Sequence, residues 1–269
     1  MSALLQPLAS SLQPTSPVVL KFGTGILAEP GGCAIDLVQV RRFAKEISRF
    51  IKQGTPCILV SSAAIAAGVH ALRLSKRPAD TAGKQACAAV GQPALMAAYA
   101  HCFARHGITT AQLLLTHEDI FTKKRRANAQ ETLKRLLSSP HVLPIINEND
   151  SVATEELNLG DNDQLSAEVA IMMRARLLIL LTTSDGLMAR AGAAPTRISR
   201  VTNIQEVLCH VTPEKGEHAR GGMISKLKAV EIAMAAGIET IIADGRRPQQ
   251  MERALAGKDV GTRFLVSQQ

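Results

Sequence analysis

Aromatic side chains are scarce in this 269-residue sequence, which has no Trp, one Tyr and six Phe. Proteins that bind single-stranded nucleic acid stack bases on aromatic side chains, so that function is disfavoured. The formal net charge is +8, from 31 Lys and Arg against 23 Asp and Glu, and it attracts anions without naming one. Nucleotide phosphates fit this charge as well as nucleic acid does, and we expect no nucleic-acid partner.

Paired cysteines and metal-binding motifs are also missing. The five cysteines are odd in number, far apart and never in a CxxC pair, which fits a reduced, cytoplasmic compartment. None of the seven His stands in HExxH spacing, so we expect no metal site built by the protein itself. Any metal should arrive with a substrate.

Long apolar runs are absent as well. The most apolar stretch, Val169 to Leu181, is interrupted by Arg174 and Arg176 and is shorter than the ~20 residues that span a bilayer. We therefore expect no membrane association. Residues 1–17 hold three Pro and no charged side chain, so the basic start of a signal peptide is missing. We expect them to form a flexible extension before a single domain, residues 18–266.

From Val18 onward, short apolar runs alternate with longer segments of helical spacing. The runs are typical of buried strands, because nearly every position is apolar rather than every second one. They are Val18–Lys21, Cys57–Ser61, Thr109–Leu115, Val142–Ile146, Leu177–Thr182 and Glu239–Ala243. Between the first two, Val40, Phe43 and Ile47 step by three and four, as on one face of a helix. The pattern predicts an α/β fold with a mostly parallel sheet covered by helices on both faces.

Ligands of such sheets bind at the carboxyl ends of the strands, where glycine-rich loops occur here. Lys21 to Gly25 follows the first strand, Ser61 to Gly68 follows the second, and Gly221 to Lys226 opens a later helix. Glycines, a helix start and a nearby Lys suit an anion, although a Gly after a strand is more often a plain turn. Neither strand-end loop matches GxxxxGK[ST] or GxGxxG, which disfavours P-loop kinases and Rossmann dehydrogenases.

Two clusters of Asn and Asp, residues 147–150 and 161–163, follow the fourth strand. Either cluster alone could be a cap or turn, but together they indicate a site for a polar ligand. These parts suit phosphoryl transfer, because Lys21 and Lys226 could supply positive charge and Asp163 could orient them. A carboxylate acceptor is already ionised near pH 7, since its reference pKa is about 4.3, so no general base is required.

Several segments in this order resemble the amino acid kinase family, and within it the glutamate 5-kinases. The resemblance runs from about Val18 to about Phe264 and indicates a short form without the PUA domain that many bacterial relatives carry. Its most specific pieces are Lys21–Thr24, Ala64–Gly68, Lys84–Gln85, Ala88–Gln92, Gln112–Thr116, Ile146–Asp150, Gly160–Asp163 and Gly221–Lys226. Acetylglutamate kinases differ at the first loop, where they have Gly-Gly in place of Gly23-Thr24.

The resemblance implies a three-layer αβα sandwich that transfers phosphate from ATP, with Mg²⁺, to L-glutamate. The product would be γ-glutamyl phosphate, in the first step of proline synthesis. It further implies a homo-oligomer in the cytoplasm, and it leaves open the exact oligomeric state and whether proline inhibits the reaction.

The resemblance also assigns roles to individual residues. The catalytic residues would be Lys21, Asp163 and Lys226. Those holding glutamate would be Ser62, Asp150 and Asn162. Those along the nucleotide would be Lys21, Gly23, Thr24, Thr182, Thr183, Arg220, Gly221, Gly222, Met223 and Lys226.

Three loops depart from the family pattern. Ala63 stands where the family has Gly, Thr183 where it has Asp, and Ala219-Arg220 where it has Gly-Thr. We expect the loop to hold Ala63 at negative φ, so that glutamate still binds. Two other functions stay open: a kinase of another small carboxylate or phosphate, because of Ala63, and a non-catalytic regulatory homologue, because three ligand loops changed together.

Overall fold

An eight-stranded sheet runs through the computed structural model, which describes residues 16–152, 162–189, 195–210 and 222–266. Strands are numbered along the chain, and neighbours pair in parallel except that residues 240–244 run antiparallel to residues 262–264. In spatial order they are β3 (Thr109–Leu115), β4 (Val142–Glu148), β2 (Cys57–Ser61), β1 (Val18–Phe22), β5 (Leu177–Thr182), β9 (Thr240–Asp244), β10 (Thr262–Phe264) and β8 (Arg200–Val201). A separate hairpin pairs β6 (Leu187–Ala189) with β7 (Thr196–Ile198).

All six predicted strands are present, with ends that differ by at most two residues. The segment from residue 183 to 201, where the sequence predicts no strand, contains β6, β7 and β8. These strands have only two or three residues each. Such short runs carry no measurable alternation of apolar and polar residues, so the sequence could not reveal them.

Helices connect the strands and are also numbered along the chain. They are α1 (Thr24–Leu27), α2 (Leu37–Lys52), α3 (Ala64–Ala71), α4 (Thr81–Ala104), α5 (His117–Phe121), α6 (Lys123–Leu137), α7 (Asn162–Met172), α8 (Met223–Ala235), α9 (Gln250–Leu255) and a 3-10 helix at Ile204–His210. Local chemistry sets where they begin: the Asp36 carboxylate accepts hydrogen bonds from the backbone N–H groups of Val38 and Gln39 at the start of α2. Among the described residues, no helix is both long and apolar enough to cross a membrane.

Alternate residues of each central strand point to opposite faces of the sheet. In β1, Val18, Leu20 and Phe22 pack into a core under α2 and α4, whereas Val19 packs into a second core under α7 and α8. Helices therefore cover both faces, and the predicted three-layer αβα sandwich with a mostly parallel sheet is confirmed.

The strand order reverses at β1, which fixes where a ligand can bind. The chain passes from β1 to β2 on one side, whereas β5 pairs with the other side of β1. Crevices form at the carboxyl ends of the strands at such a reversal. The helices that follow β1, β2 and β4 begin at this edge, and so does α8, which leads back into β9.

Two glycines bring α3 and α4 into close contact beside this edge. A Cβ added at Gly91 would lie 1.9 Å from the Ala64 carbonyl oxygen, and one at Gly68 would lie 1.8 Å from the Cys87 carbonyl oxygen. Any larger residue at either position would force the helices apart. The position of α3, and of the loop that precedes it, thus depends on α4.

Candidate active site

Three buried charged residues from distant parts of the chain meet at the carboxyl edge of the sheet. Asp163, in the first turn of α7, lies 2.5 Å from Lys21 Nζ through Oδ1 and 3.2 Å from Lys226 Nζ through Oδ2. Lys21 is in β1 and Lys226 is in the first turn of α8, whose neighbouring Ser225 hydroxyl donates to the same carboxylate at 3.2 Å. The predicted catalytic residues are thus brought together.

The charges of this triad leave an excess of positive charge. Burial alone would raise the pKa of the Asp163 carboxyl, but the ammonium groups of Lys21 and Lys226 outweigh it and hold the pKa below its ordinary value. Asp163 is therefore ionised, and two lysines beside one carboxylate give a net charge of +1, that is 2 − 1. A buried positive charge at a helix N-terminus attracts an anion such as a phosphate.

The loops after β1 and β5 lie side by side next to this triad. The Gly23 N–H donates to the Leu181 carbonyl at 3.3 Å, and a Cβ on Gly23 would lie 3.7 Å from Lys21 Nζ. A Cβ on Gly25 would come within 2.9 Å of the Thr183 methyl group, so the two loops touch. The predicted nucleotide residues Gly23, Thr24, Thr182 and Thr183 therefore belong to one continuous surface.

Further predicted nucleotide residues, Gly222, Met223 and Lys226, lie at the start of α8. Gly222 precedes the helix and Met223 is its first residue, three positions before Lys226. Arg220 and Gly221 fall outside the described residues, as do Gly160 and Asp161 of the second Asn/Asp cluster. The change from Gly-Thr to Ala219-Arg220 is outside them too.

On the other side of β1, Ser62 and Asn162 form the predicted acceptor site. The Asn162 amide donates to the Ser62 hydroxyl oxygen at 3.0 Å and to the Ser61 carbonyl at 3.1 Å. Because Asn162 directly precedes Asp163 at the start of α7, a ligand held by Ser62 and Asn162 sits beside the triad.

Asp150, the third predicted acceptor residue, lies two residues beyond β4. Burial raises the pKa of its carboxyl to about 6, and the opposing attraction of the Arg77 guanidinium only partly offsets this. Arg77 belongs to the connection between α3 and α4, and the sequence did not single it out. Asp150 is thus an acidic group whose charge changes near neutral pH.

The expectation that Ala63 takes a negative φ is wrong. Ala63 has φ of 81° and ψ of 9°, in the left-handed region, and it caps the N-terminus of α3. The chain must turn sharply there from β2 into α3, and the family's Gly adopts this conformation without steric cost. The Cβ of Ala63 crowds the neighbouring carbonyl oxygen in this conformation, so its backbone is strained by about 1 to 2 kcal/mol. The Ser62 hydroxyl nevertheless still reaches Asn162.

The sequence did not predict a set of four side-chain amides, three of them buried, beneath the acceptor site. Asn162 donates to Asn147, Asn147 donates to Gln92, and Gln92 donates to Gln112, over 3.0, 2.8 and 2.9 Å. Gln92 occupies α4 two turns before the buried Tyr99, whose hydroxyl lies 2.8 Å from the Ser61 hydroxyl. The seven-residue spacing of two polar side chains on a buried helix face was the available signal.

The sequence of this chain is similar to a family model and to several known proteins. A sequence model of the amino acid kinase family matches residues 16–244. A glutamate 5-kinase of Gloeobacter violaceus is 44% identical over 253 residues, which are 93% of this chain and 68% of that protein. One of Thermus thermophilus is 42% identical over 250 residues, 92% of this chain and 66% of its own length. One of Symbiobacterium thermophilum is 40% identical over 252 residues, 92% of this chain and 95% of its own length.

Proposed function

The chain belongs to the amino acid kinase family, and from this premise we propose that it acts as a glutamate 5-kinase. It transfers the γ-phosphoryl group of ATP to the γ-carboxylate of L-glutamate, which yields γ-glutamyl phosphate and ADP and supplies the first step of proline synthesis. The observation that carries the proposal is the buried triad of Lys21, Asp163 and Lys226 beside the polar pair Ser62 and Asn162. The 40 to 44% identity to glutamate 5-kinases over most of the chain supports it.

The two lysines neutralise the phosphate that moves. Lys21 and Lys226 approach Asp163 from β1 and α8, and their ammonium groups suit a phosphoryl group that passes between the nucleotide side and the acceptor side. Asp163, ionised between them, holds both ammonium groups in place. Catalysis is then mostly positioning and charge stabilisation.

The acceptor needs no general base in this reaction. The γ-carboxylate of glutamate has a reference pKa of about 4.3 and is already ionised at neutral pH. Ser62, Asn162 and Asp150 have the remaining task of binding the α-amino acid end, so that the γ-carboxylate faces the phosphate. Asp150 is the charged partner that we assign to the α-ammonium group.

The nucleotide occupies the surface made by the loops after β1 and β5 and the start of α8. Gly23 and Gly222 have no side chain to keep phosphate oxygens away from the backbone, and Thr24, Thr182, Thr183 and Met223 line the same surface. Within the described residues no three or more His, Cys, Asp or Glu side chains converge on a point that could hold a metal ion. We assign Mg²⁺ to the nucleotide, where it would neutralise phosphate charge.

The test is a coupled assay of ADP release with a panel of acceptors. L-Glutamate should be turned over far faster than L-aspartate, N-acetyl-L-glutamate or glutarate, and hydroxylamine should trap the acyl phosphate as γ-glutamyl hydroxamate. Faster turnover of another acceptor would instead support a different small-molecule kinase. Nucleotide binding without turnover of any acceptor would support a regulatory homologue, and either result contradicts the proposal.

A further inference from the structure

The side-chain amides beneath the acceptor site form a hydrogen-bonded chain in which every amide donates in the same direction. Asn162 Nδ2 donates to Asn147 Oδ1, Asn147 Nδ2 to Gln92 Oε1, and Gln92 Nε2 to Gln112 Oε1. The four residues come from α7, β4, α4 and β3, so the chain runs from the site to the edge strand of the sheet. None of the roles assigned above uses Gln92 or Gln112.

Two contacts with backbone groups identify which amide atoms in this series are nitrogen and which are oxygen. The Ser61 carbonyl can only accept, and Asn162 approaches it at 3.1 Å, so the Asn162 atom there is the amide nitrogen. The Glu148 N–H can only donate, and it reaches Asn147 at 2.9 Å, so the Asn147 atom there is the amide oxygen. If Gln92 turned its amide over, its nitrogen would face the Asn147 nitrogen, and its hydrogen bond with Asn147 would be lost.

Because these amides are buried, reversing one of them would cost hydrogen bonds. Asn147 is 1% exposed, Asn162 4% and Gln92 8%, so water does not replace a lost partner. Gln112 is exposed, so the last link of the chain ends in solvent. Amide chains of this kind also polarise one another, which strengthens the acceptor at the site end.

As a result, the hydrogen-bonding groups that Asn162 and Ser62 can offer to a ligand are determined. The Asn162 nitrogen is occupied by three oxygens, those of the Ser61 carbonyl, the Ser62 hydroxyl and Asn147. Its Oδ1 atom is buried, and no described residue donates to it. The Ser62 oxygen already accepts from Asn162, so its hydroxyl hydrogen is the group it can give to a ligand. Asn162 therefore offers an acceptor, and Ser62 offers a donor.

We propose that Gln92 is a positioning residue that, through Asn147, holds the Asn162 amide oxygen toward the substrate, and that this oxygen selects acceptors with a free α-ammonium group. The inference rests on the proposed glutamate kinase function. An ammonium group has only donors, so it matches Asn162 Oδ1, and the adjoining α-carboxylate has only acceptors, so it matches the Ser62 hydroxyl. A ligand without the ammonium group leaves a buried oxygen unpaired, which is the strongest basis for rejecting it.

The test compares L-glutamate with glutarate, which lacks only the α-ammonium group. Calorimetry on the 269-residue protein gives the dissociation constants of glutamate and glutarate and their ratio. Gln92→Met preserves side-chain length but removes both hydrogen bonds, so we expect the preference for glutamate over glutarate to fall about tenfold. The kcat at saturating glutamate and the KM for ATP should stay within about twofold of wild type, since the triad is untouched.

Two variants of matched chemistry serve as controls. Gln112→Met removes the exposed end of the chain, where water can take its place, and should leave the ratio unchanged. Gln92→Glu, which is neutral when buried, keeps an oxygen for Asn147 and an O–H for Gln112, and should restore the ratio. If Gln92→Met does not fold, Gln92→Ala removes the same amide and takes its place in the comparison.

The possible results distinguish failure of the proposed Gln92 role from failure of the proposed kinase function. An unchanged ratio in Gln92→Met, with glutamate still bound and turned over by the wild type, overturns the positioning role alone. Equal weakening of glutamate and glutarate also overturns it, because a merely structural Gln92 would act on both ligands alike. Failure of the wild type to phosphorylate glutamate overturns the proposed function and this inference with it.

Discussion

At the scale of single residues, Lys226 is where charge stabilisation should be separable from folding. In Lys226→Ala, Asp163 keeps Lys21 at 2.5 Å, so its carboxylate stays paired and the fold should persist. Removing a comparable transition-state charge costs roughly 10³- to 10⁵-fold in rate, and we expect a loss in that range. The measurement is kcat at saturating substrates, with a thermal melt to confirm folding. Lys228→Ala, exposed on the same helix, should be nearly neutral, and a loss below tenfold in Lys226→Ala would refute the role.

Asp150 should make glutamate binding depend on pH. Its carboxyl has a raised pKa of about 6, so it is charged at pH 7.5 and largely neutral below about pH 5.5. The neutral form attracts the α-ammonium group less, so the KM for glutamate should rise as pH falls through 6. Glutamate's own γ-carboxyl, with a reference pKa of about 4.3, does not titrate in that interval.

Replacing Asp150 isolates this effect. Asp150→Asn removes a charge-assisted hydrogen bond worth about 1.5 to 3 kcal/mol, so the KM for glutamate should rise roughly tenfold or more, with little change in the KM for ATP. The variant's KM for glutamate should also no longer vary between pH 5.5 and 7.5. Equal changes in both KM values would indicate a structural turn instead.

Ala63 is strained, and relieving the strain should stabilise the protein. With φ at 81°, Ala63→Gly removes about 1 to 2 kcal/mol of steric strain and adds about 0.5 to 1 kcal/mol of chain entropy to the unfolded state. We expect the free energy of unfolding to rise by about 0.5 to 1 kcal/mol in urea titrations. Ala64→Gly, one residue later in the helix, should lower it by a similar amount. Destabilisation of similar size in both variants would show that the loop tolerates Ala63 without strain.

At the scale of elements, the contact between α3 and α4 holds in place the loop that contains Ser62 and precedes α3. Gly91→Ala would place a methyl group 1.9 Å from the Ala64 carbonyl, so α3 must move. Overpacking of this kind costs about 1 to 3 kcal/mol, and the displaced Ser62 loop should also raise the KM for glutamate. Ala89→Gly, exposed on α4, should cost about 1 kcal/mol without changing that KM. Unchanged stability and KM in Gly91→Ala would mean that the helices separate freely.

The elements differ in how well the sequence predicts them, for physical reasons. Buried strands such as β1 and β5 are continuous apolar runs, and α4 ends just before Gly107, so length and composition locate them. The backbone of Ala63 could not be read, because its conformation follows from the turn between β2 and α3 rather than from its own preference. Nor could the link from Gln92 to Asn147 be seen, since 55 residues separate partners that meet only after the sheet forms.

At the scale of the whole molecule, the site draws on both halves of the sheet. Lys21 comes from β1, Ser62 from the loop after β2, Asp163 from the helix after β4, and Lys226 from the helix before β9. Strand-end loops and the family resemblance predicted these residues, and the sheet order explains their meeting, because β1 lies between β2 and β5. The predictions for Arg220 and Gly221 fall outside the described residues.

Asp163 is the shared counter-ion of two lysines that stand 205 positions apart, at 21 and 226. During synthesis, β1 and α7 leave the ribosome before α8, so Lys21 is available to Asp163 before Lys226 is. A polypeptide that ended before α8 could complete the part of the sheet from β3 to β1 and bring Ser62 to Asn162. It would nevertheless hold only one positive charge against one negative charge. Phosphate would then meet a neutral pair. The excess positive charge that suits a phosphate is therefore complete only once α8 has been made.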